Sequence, residues 1–396
     1  MFSKFIQNYL KYWAVRYLKR VKPQIIAITG SVGKTSTKEA VFEVLKVKFG
    51  DKIRKTPGNL NTETGVPLTI LGFTESPQKP WEWLPIIFAA PSRSVAEPAF
   101  EIMVLEMAAD KPGDIKYLTS FIKPNVSILT SIGPSHLEKF GSIEKITEEK
   151  INLLRALDEK GVAILNIDDH EVRKSSYGGR WKKITYGINK QANLTANNIK
   201  TEIVDFEPIT NFEIIYEKES FVVFLPVIGS SGNIYASLAA AATGIYFGLS
   251  SKQISEGLKK IKSAKHRMNI LRGKNNVVII DDCYNASPVS LRAALDILKK
   301  LTAKRKIAVL GGMKEIGEIT DEAHHLLGEY ASAICDKVVT VGELAKKYQI
   351  KNHFNLPSEA IKHLLEDLRE GDILLIKASR SIGLETIVDA LKKEKV

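Results

Sequence analysis

The clearest candidates for chemistry are six residues of a glycine-rich turn near the start of the chain: Gly30, Ser31, Gly33, Lys34, Thr35 and Ser36. The apolar run from Ile25 to Ile28 predicts a buried strand before the turn, and the pattern from Thr35 to Val47 predicts a helix after it. This order is typical of a phosphate-binding loop, in which backbone N–H groups and a helix N-terminus face phosphate oxygens. Lys34 would then reach the terminal phosphates of a nucleotide, and the Thr35 hydroxyl would bind Mg²⁺. The alternative is a strand-to-helix turn that is glycine-rich for structural reasons.

Two further side chains with metal-binding chemistry follow predicted strands. The strand over Ile102 to Leu105 ends at Glu106, and the strand over Ser127 to Thr130 ends shortly before His136. In open α/β sheets, ligands bind at the carboxyl ends of the strands, so both side chains are expected beside the glycine-rich turn. A carboxylate and an imidazole on one sheet edge suggest metal ligation, although each alone is more often structural.

The order of the predicted elements indicates two α/β domains. Strands and helices alternate after the glycine-rich turn, and the alternation restarts around Ser263 to Arg272, after a segment rich in alternating strands. A chain of 396 residues is long enough for two or three domains with cores of their own. We therefore divide it into an N-terminal helix (residues 1–24), a central domain (25–262) and a C-terminal domain (263–396).

Several local elements can be predicted between these landmarks. Pro80 to Ala90 is expected to form a helix that is buried or lies at an interface. The runs Phe212 to Tyr216 and Phe221 to Leu225 predict the two arms of a β-hairpin. In the C-terminal domain, predicted strands lead into Asp281 to Pro288 and into Lys377 to Ser381, so polar clusters again follow strand ends.

The first 22 residues carry a pattern of their own. Apolar residues recur every three or four positions from Phe2 to Val21, with lysines and arginines off that stripe. The segment has no uninterrupted apolar core or cleavage site, so it is no signal peptide, and it is too charged to span a bilayer. A basic amphipathic helix could lie on a membrane or contact a partner protein. We favour packing against the following domain, with Pro23 ending the helix before the first strand.

Composition narrows the class of protein. A hydrophobic fraction of 44% is ordinary for a globular protein. The net charge of +12 suits polyanionic substrates such as nucleotides, although a basic surface could also contact a membrane or nucleic acid. Cys283 and Cys335 are the only cysteines, which implies neither a disulfide framework nor a cysteine-built zinc site. We expect a cytoplasmic protein with small-molecule substrates and no nucleic-acid partner.

Six motifs in chain order carry a resemblance to a known family: Thr29 to Ser36, Gly58 to Asn61, Glu106 with Pro112 to Ile115, Ile132 to Leu137, Asp281 to Pro288, and Lys377 to Ser381. As a series they resemble the ATP-dependent Mur ligases, and within them the MurF type, from about residue 24 to the C-terminus. The resemblance implies an α/β fold in which a central P-loop ATPase domain with a mostly parallel sheet precedes a C-terminal Rossmann-like domain.

The resemblance also implies an activity and its cofactors. The chain would join D-alanyl-D-alanine to UDP-N-acetylmuramoyl-tripeptide (UDP-MurNAc-tripeptide) in peptidoglycan precursor synthesis, using ATP. An acyl phosphate would form first, and the dipeptide amine would then attack its acyl carbon. Lys34 and a Mg²⁺ ion on Thr35 and Glu106 would neutralise charge during phosphoryl transfer. His136 and a carbamoylated Lys150 would serve a second Mg²⁺.

Further positions match the family's binding residues. Four match positions that contact the nucleotide or close the cleft: Asn233, Arg267, Asp282 and Asn285. Five match positions associated with the substrates: Asn59, Asn61, Lys377, Ser379 and Arg380. Among the last of these, an arginine or lysine suits recognition of a terminal carboxylate.

Two alternatives stay open. MurF-type ligases carry a domain before the phosphate-binding loop that grips the UDP-sugar, whereas 24 residues precede Ile25 here. The chain could therefore be a Mur-like ligase for another carboxylate and amine, of the folylpolyglutamate or cyanophycin type, although the motif at 281–288 favours MurF. It could also be a P-loop regulatory protein that hydrolyses nucleotide without ligation. Glu106, His136 and Lys150 argue against that reading, because a switch needs no second metal.

Overall fold

The computed structural model describes residues 2–95, 100–176, 181–189, 191–314 and 316–393. Met1 and residues 394–396, which the predicted N-terminal helix and C-terminal domain include, lie outside the described residues. Within the described ranges the chain folds around two β-sheets.

The first sheet and its helices are built from residues 2–258. In chain order the elements are α1 (Phe2–Val21), β1 (Gln24–Thr29), α2 (Lys34–Phe49), β2 (Ile53–Lys55), α3 (Gly65–Ile70), α4 (Trp83–Val95), β3 (Ile102–Glu106), α5 (Asp114–Thr119), β4 (Val126–Leu129), α6 (Leu137–Phe140), α7 (Ile143–Arg155), β5 (Val162–Asn166), α8 (His170–Ser175), β6 (Lys182–Gly187), β7 (Leu194–Val204), β8 (Glu207–Tyr216), β9 (Glu219–Leu225), α9 (Ser231–Tyr246) and α10 (Ser251–Leu258). The strand order is β2-β3-β1-β4-β5-β6-β7-β8-β9. Pairing is parallel from β2 to β7 and antiparallel in β7-β8-β9, so the predicted hairpin is confirmed with longer arms.

The second sheet is built from the remaining elements: β10 (Asn269–Arg272), β11 (Val278–Asp282), α11 (Pro288–Lys300), β12 (Arg305–Gly311), α12 (Thr320–Ile334), β13 (Lys337–Val341), β14 (His353–Phe354), α13 (Pro357–Asp367), β15 (Asp372–Lys377) and α14 (Glu385–Leu391). Its strand order is β10-β11-β15-β12-β13-β14, with only β10 antiparallel to its neighbour among these described strands. This is the second open α/β sheet that the restarted alternation predicts.

The apolar run of β1 has helices on both faces. Ile26 and Ile28 point into one core with α2 and α9, while Ile25 and Ala27 point into the opposite core with α1, α3 and α7. A strand covered on both faces needs apolar residues at every position, which is why the sequence shows a continuous run without alternation. Strand β1, which leads into the glycine-rich turn, is therefore an interior strand of the sheet that is covered on both faces.

Helix α1 packs its apolar stripe onto the first sheet's core, as favoured from the sequence. The buried residues are Ile6, Leu10, Ala14 and Tyr17, each at most 4% exposed. The Tyr9 hydroxyl donates a hydrogen bond to the Ile87 carbonyl of α4 over 2.8 Å. The N-terminal segment is thus part of the core of this unit.

Helix α4 departs from its expected burial. The predicted helix over Pro80 to Ala90 exists as a short 3₁₀ turn followed by α4, but only Ile86, Ala90 and Ser94 of α4 are buried. Phe88 is 78% exposed and Leu84 55% exposed. Of the two alternatives, a helix buried within this chain is therefore wrong, because α4 packs against α1 through one side only. A helix at an interface with another molecule stays a prediction.

Candidate functional site

The glycine-rich turn at residues 30–36, predicted to bind phosphate and called the phosphate-binding turn below, has positive φ angles at two of its glycines. Gly30 has φ of 153°, and a Cβ there would lie 2.0 Å from the Thr130 Oγ1 atom. Gly33 has φ of 88° and directly precedes α2. The Ser31 N–H donates to the Ser131 carbonyl over 2.8 Å, so the segment after β4 holds the turn in place. A side chain at Gly30 would break this close approach.

Lys34 and Ser36 begin helix α2. The Lys34 ammonium donates to the Gly30 carbonyl over 2.6 Å and to the Ser31 carbonyl over 3.3 Å. Burial lowers the pKa of Lys34, and the nearby Glu106 carboxylate opposes that shift. Ser36 follows in the first turn of the helix and is half-buried. The lysine is thus held over the turn where phosphate would bind.

Glu106 accepts hydrogen bonds from two polar side chains beside the turn. Its Oε1 atom accepts hydrogen bonds from the Thr35 hydroxyl over 3.1 Å and from the Asn61 side-chain amide over 3.0 Å. Glu106 is 2% exposed, and its neighbour on the adjacent strand is Ile28, at the end of β1. Thr35, Asn61 and Glu106 therefore form one polar group beside the turn. Their roles as metal ligands and substrate contact stay predictions.

The second carboxylate oxygen of Glu106 lies close to Lys38, a residue that the sequence analysis did not single out. Oε2 is buried and accepts no hydrogen bond from the described residues, while the Lys38 ammonium lies 3.4 Å away as an ion pair. Lys38 is 1% exposed and lies one helical turn after Lys34. Oε2 is thus paired in charge with Lys38 but accepts no hydrogen bond from the described residues, while Oε1 contacts the Thr35 hydroxyl. Such a carboxylate fits a divalent cation like Mg²⁺, which prefers oxygen ligands.

His136 lies near the turn on the segment after β4. It has φ of 54° and directly precedes α6, and its Nε2 atom lies 3.4 Å from Asp110 Oδ1. Asp110 follows β3, the strand that carries Glu106. Imidazole and carboxylate groups from two strand ends are therefore close to each other, and Asp110 is a candidate ligand that the sequence analysis did not single out.

Lys150 is buried in α7, which the sequence predicts as a helix. It is 2% exposed. Burial, with a smaller effect of the Lys34 ammonium, lowers the pKa of Lys150 to about 7, against the opposing charges of Glu149 and Asp110. The lowered pKa favours the neutral amine of Lys150 over its charged form, and a neutral amine is a nucleophile.

Glu149 fixes the position of Lys150. Its carboxylate accepts backbone hydrogen bonds at the N-terminus of α5 from Gly113 (2.9 Å), Ile115 (2.6 Å) and Lys116 (3.1 Å). These donors would otherwise be unpaired at a helix start, so the carboxylate ties α7 to α5. No sequence signal indicates this pairing, because the partners are more than 30 positions apart.

Asp282 and Lys377 form the centre of the second sheet's polar edge. They are register partners on β11 and β15, and the Lys377 ammonium lies 2.5 Å from Asp282 Oδ2. Lys377 also donates to the Asn285 carbonyl over 3.0 Å, and Asp282 Oδ1 accepts from the Met268 N–H over 3.1 Å. The charge of Lys377 is therefore used within the protein, which makes it a positioning group.

Two arginines flank one tyrosine at the same edge. The guanidinium carbons of Arg267 and Arg380 lie 4.2 Å and 5.1 Å from the centre of the Tyr284 ring. The Arg267 charge also lowers the pKa of Lys34, so Arg267 lies on the side of the phosphate-binding turn. The Ser379 hydroxyl accepts a hydrogen bond from the Lys314 N–H over 2.9 Å. Tyr284 belongs to the 281–288 motif, but the sequence analysis gave it no role of its own.

Two predicted residues lie apart from these clusters. The Asn233 side chain donates to the Ile228 carbonyl over 2.7 Å and so braces the start of α9. Asn59 is exposed on the loop that also carries Asn61. Neither contacts the Glu106 group in this structure.

None of the helices in the described ranges is long and apolar enough to cross a membrane.

Two known domain families match most of this chain. The Mur ligase middle domain matches residues 28–83 and 84–244, and the Mur ligase glutamate ligase domain matches residues 266–380. The UDP-N-acetylmuramoyl-tripeptide–D-alanyl-D-alanine ligase of Bacillus subtilis is 31% identical over 96% of this chain and 79% of its own length. The enzyme of the same name from Buchnera aphidicola subsp. Baizongia pistaciae is 33% identical over 93% and 75%.

A solved structure extends the similarity to the fold. The MurF ligase from Thermotoga maritima in complex with ADP has a TM-score of 0.82 and 29% identity, covering 97% of this chain and 83% of that one. The similarity spans both sheets and both polar edges described above. The chain therefore belongs to the Mur ligase family, and its sequence and fold are similar to those of MurF ligases.

Proposed function

We propose that this chain catalyses ATP-dependent amide-bond formation between UDP-MurNAc-tripeptide and D-alanyl-D-alanine. We assign these two substrates because the relatives that match most of the chain are named for them. We assign ATP because the chain has a phosphate-binding turn and the Thermotoga maritima relative was solved in complex with ADP. We propose that the reaction takes place in the cytoplasm, where nucleotide-linked precursors and ATP occur together.

The observation that carries this proposal is the contact between Thr35 and Glu106. The threonine hydroxyl and the buried carboxylate lie 3.1 Å apart beside the phosphate-binding turn. This pair joins a P-loop side chain to a strand-end carboxylate, which is the donor set that holds Mg²⁺ against nucleotide phosphates. The geometry supports phosphoryl transfer, whichever carboxylate is the acceptor.

In the first step, the substrate carboxylate oxygen attacks the γ-phosphorus of ATP. The bond to the β,γ-bridging oxygen breaks, so an acyl phosphate and ADP form. Lys34 neutralises charge on the terminal phosphates, and the backbone N–H groups of the turn orient them. Mg²⁺ held by Thr35 and Glu106, and by His136 and Lys150, would supply further neutralisation of negative charge on the phosphates.

In the second step, the amine of the dipeptide attacks the acyl carbon. The resulting tetrahedral intermediate collapses, inorganic phosphate leaves, and the amine loses a proton as the amide forms. We propose that Arg380 recognises the dipeptide's terminal carboxylate, since a guanidinium suits a planar two-oxygen group. Ser379 and Lys377 position this end of the site, and Asn59 and Asn61 lie on the side of the first substrate.

We propose that the Lys150 amine reacts with carbon dioxide. Its nitrogen attacks the carbon of CO₂, an N–C bond forms, and one proton leaves, which gives a carbamate. The carbamate would give the buried Lys150 side chain an anionic oxygen ligand. Lys150 and His136 would then hold a second Mg²⁺, while Thr35 and Glu106 would hold the first. The burial of Lys150 and its lowered pKa support this step.

We further propose a division of labour along the chain. Residues 25–262 act as the nucleotide-binding unit and residues 263–396 as the unit that closes over it. Four residues contribute to nucleotide binding or closure in this scheme: Asn233, Arg267, Asp282 and Asn285. Residues 1–22 act as part of the first unit's core, since the apolar stripe of α1 is buried there.

The test is a phosphate-release assay with UDP-MurNAc-tripeptide and D-alanyl-D-alanine, each omitted in turn. Release should depend on the nucleotide-linked substrate, and the product should form only when both are present. Release of phosphate with neither substrate would indicate a P-loop hydrolase. Release that needs a folate or an amino-acid polymer in place of the nucleotide-linked peptide would indicate the other ligase types.

A further inference from the structure

A second group of potential metal ligands shares no residue with the proposed magnesium residues. His266, Asp281 and Cys283 meet where the segment between the two sheets joins the end of β11. Asp281 and Cys283 are 3% and 2% exposed. His266 Nδ1 lies 2.7 Å from Asp281 Oδ2, Cys283 Sγ lies 2.9 Å from Asp281 Oδ1, and Sγ lies 3.6 Å from Nδ1.

A cysteine nucleophile is the first function to consider for such a group. In that arrangement the histidine would accept the thiol proton through one nitrogen and contact the carboxylate through the other. Here the same atom, His266 Nδ1, faces both Asp281 and Cys283. Burial and the contact with Asp281 also raise the pKa of the Cys283 thiol, whereas a nucleophilic cysteine needs a lowered one. The group is therefore not built for nucleophilic catalysis.

We propose that His266 Nδ1, the Asp281 carboxylate and Cys283 Sγ bind a borderline-soft divalent cation of the Zn²⁺ class. Nitrogen, oxygen and sulfur donors together are the set that Zn²⁺ accepts, whereas Mg²⁺ and Ca²⁺ take oxygen ligands. On binding, the thiol proton of Cys283 leaves to solvent and a metal–sulfur bond forms, with no change of oxidation state.

The distances are compatible with a tetrahedral site. Zn²⁺ makes bonds of about 2.0–2.3 Å, which places tetrahedral ligand atoms about 3.3–3.8 Å apart. The Sγ to Nδ1 separation of 3.6 Å already matches. The Asp281 carboxylate now contacts His266 Nδ1 and Cys283 Sγ directly. It would move away from these two atoms by less than about 1 Å to make room for the metal ion and would bind that ion in their place. The His266 side chain is 18% exposed, so water can reach a fourth position.

The site would fasten the connecting segment to the second sheet. His266 lies three residues before β10, and its carbonyl accepts a hydrogen bond from the Tyr284 N–H over 3.0 Å. A metal on His266 would add a cross-link between this segment and β11. Arg267 and Asp282 adjoin the ligands in sequence, so the cross-link would hold the residues that we propose for nucleotide binding.

The experiment is a Co²⁺ titration of the metal-free, full-length chain, followed by absorption spectroscopy. We expect a sulfur-to-cobalt charge-transfer band and the strong visible bands of four-coordinate Co²⁺, saturating at an equimolar amount. Added Zn²⁺ should bleach both, and a large excess of Mg²⁺ should not. Absence of the charge-transfer band in the wild-type chain would overturn the proposal.

Variants locate the site. Cys283→Ser should abolish the charge-transfer band, and His266→Asn should weaken binding at least tenfold. Cys335→Ser is the matched control, since that thiol lies outside the cluster, and it should keep the full band. A band that survives Cys283→Ser would contradict the assignment. The readout is independent of ligation, so it is informative even if the proposed substrates are wrong.

Discussion

The Thr35 hydroxyl donates a hydrogen bond to Glu106 Oε1, while Glu106 Oε2 accepts none from the described residues. Two residues 71 positions apart thus form one oxygen-rich corner beside the phosphate-binding turn. Helix α2 carries the first and β3 the second, and the parallel register of β1 and β3 sets their distance. This relationship leads directly to the first prediction.

Glu106→Gln should lower kcat by at least about a hundredfold, because an amide keeps the hydrogen bonds but cannot neutralise a cation. The measurement is steady-state phosphate release at saturating ATP, with the magnesium concentration varied. Glu101→Gln, on the same segment but exposed, is the control and should be unaffected. Near-wild-type kcat at ordinary magnesium concentration would remove Glu106 from the metal site.

Lys34→Ala should abolish turnover, because the turn loses its side-chain charge on the transferring phosphate. The loss should exceed tenfold, which corresponds to about 1.4 kcal/mol of barrier. Single-turnover measurements with bound ATP separate this effect from weaker nucleotide binding. Turnover within tenfold of the wild-type value would show that Lys34 does not act in the transfer.

Lys150→Ala should lose activity and regain part of it with added short carboxylates, which would replace the carbamate oxygen. The assay compares rates with and without acetate or formate. Lys145→Ala, exposed on the same helix, should need no rescue. An unaffected Lys150→Ala enzyme would show that the lysine holds no metal.

Lys150 also makes stability depend on pH in CO₂-free buffer. The folded chain releases the lysine proton near pH 7, whereas the unfolded chain keeps it up to the ordinary value of 10.5. The unfolded state therefore binds more protons between these values, so stability rises with pH across this window. Lys150→Met should be more stable than wild type below pH 7, with the difference shrinking towards pH 10. Urea denaturation at several pH values measures it, and a constant difference would contradict the buried neutral amine.

Replacing only one partner of the Asp282–Lys377 ion pair should lower the stability of the fold strongly. Lys377→Met should destabilise the fold by about 3–5 kcal/mol, because it leaves a carboxylate in a mostly buried position without its cation. The double variant Asp282→Asn with Lys377→Met should recover part of that loss. Lys392→Met removes one partner of an exposed pair with Asp389 and should cost less than about 1 kcal/mol. Equal losses in the two lysine variants would mean that burial of the first pair has no effect on stability.

Helix α1 should act through its buried face. Leu10→Ala should cost about 2–5 kcal/mol because its side chain is fully buried, and a chain beginning at Lys22 should melt well below the full-length chain. Phe5→Ala, at a position 60% exposed, should barely change the melting temperature.

Liposome co-sedimentation distinguishes the membrane interpretation of the same helix. The exposed Phe5 and Tyr12 side chains would have to insert if α1 met lipid. We expect no binding to anionic vesicles. Salt-sensitive binding that disappears in a Phe5→Ala/Tyr12→Ala chain, with an unchanged melting temperature, would contradict our interpretation.

Much of the architecture was readable from local sequence. Three features each reflect the environment of their own segment: the continuous apolar run before Gly30, the apolar residues at every third or fourth position of α1, and the hairpin around residues 217–220. The phosphate-binding turn was equally clear, because its glycines and Lys34 act within a few residues of one another. The exposure of α4 was not readable, since an apolar helix looks the same whether its outer face is covered or not.

The sequence by itself determined which elements form and which residue types stand at the strand ends. Only the tertiary structure decided which of those residues meet, because register and strand order bring together positions far apart in the chain. Examples are the ion pair of Lys38 with Glu106, the hydrogen bonds of Glu149 to the start of α5, and the ion pair of Lys377 with Asp282. The His266, Asp281 and Cys283 group is another, since two cysteines in a long chain carry no zinc pattern. Burial then sets the charge of Lys150, and burial is a property of the fold.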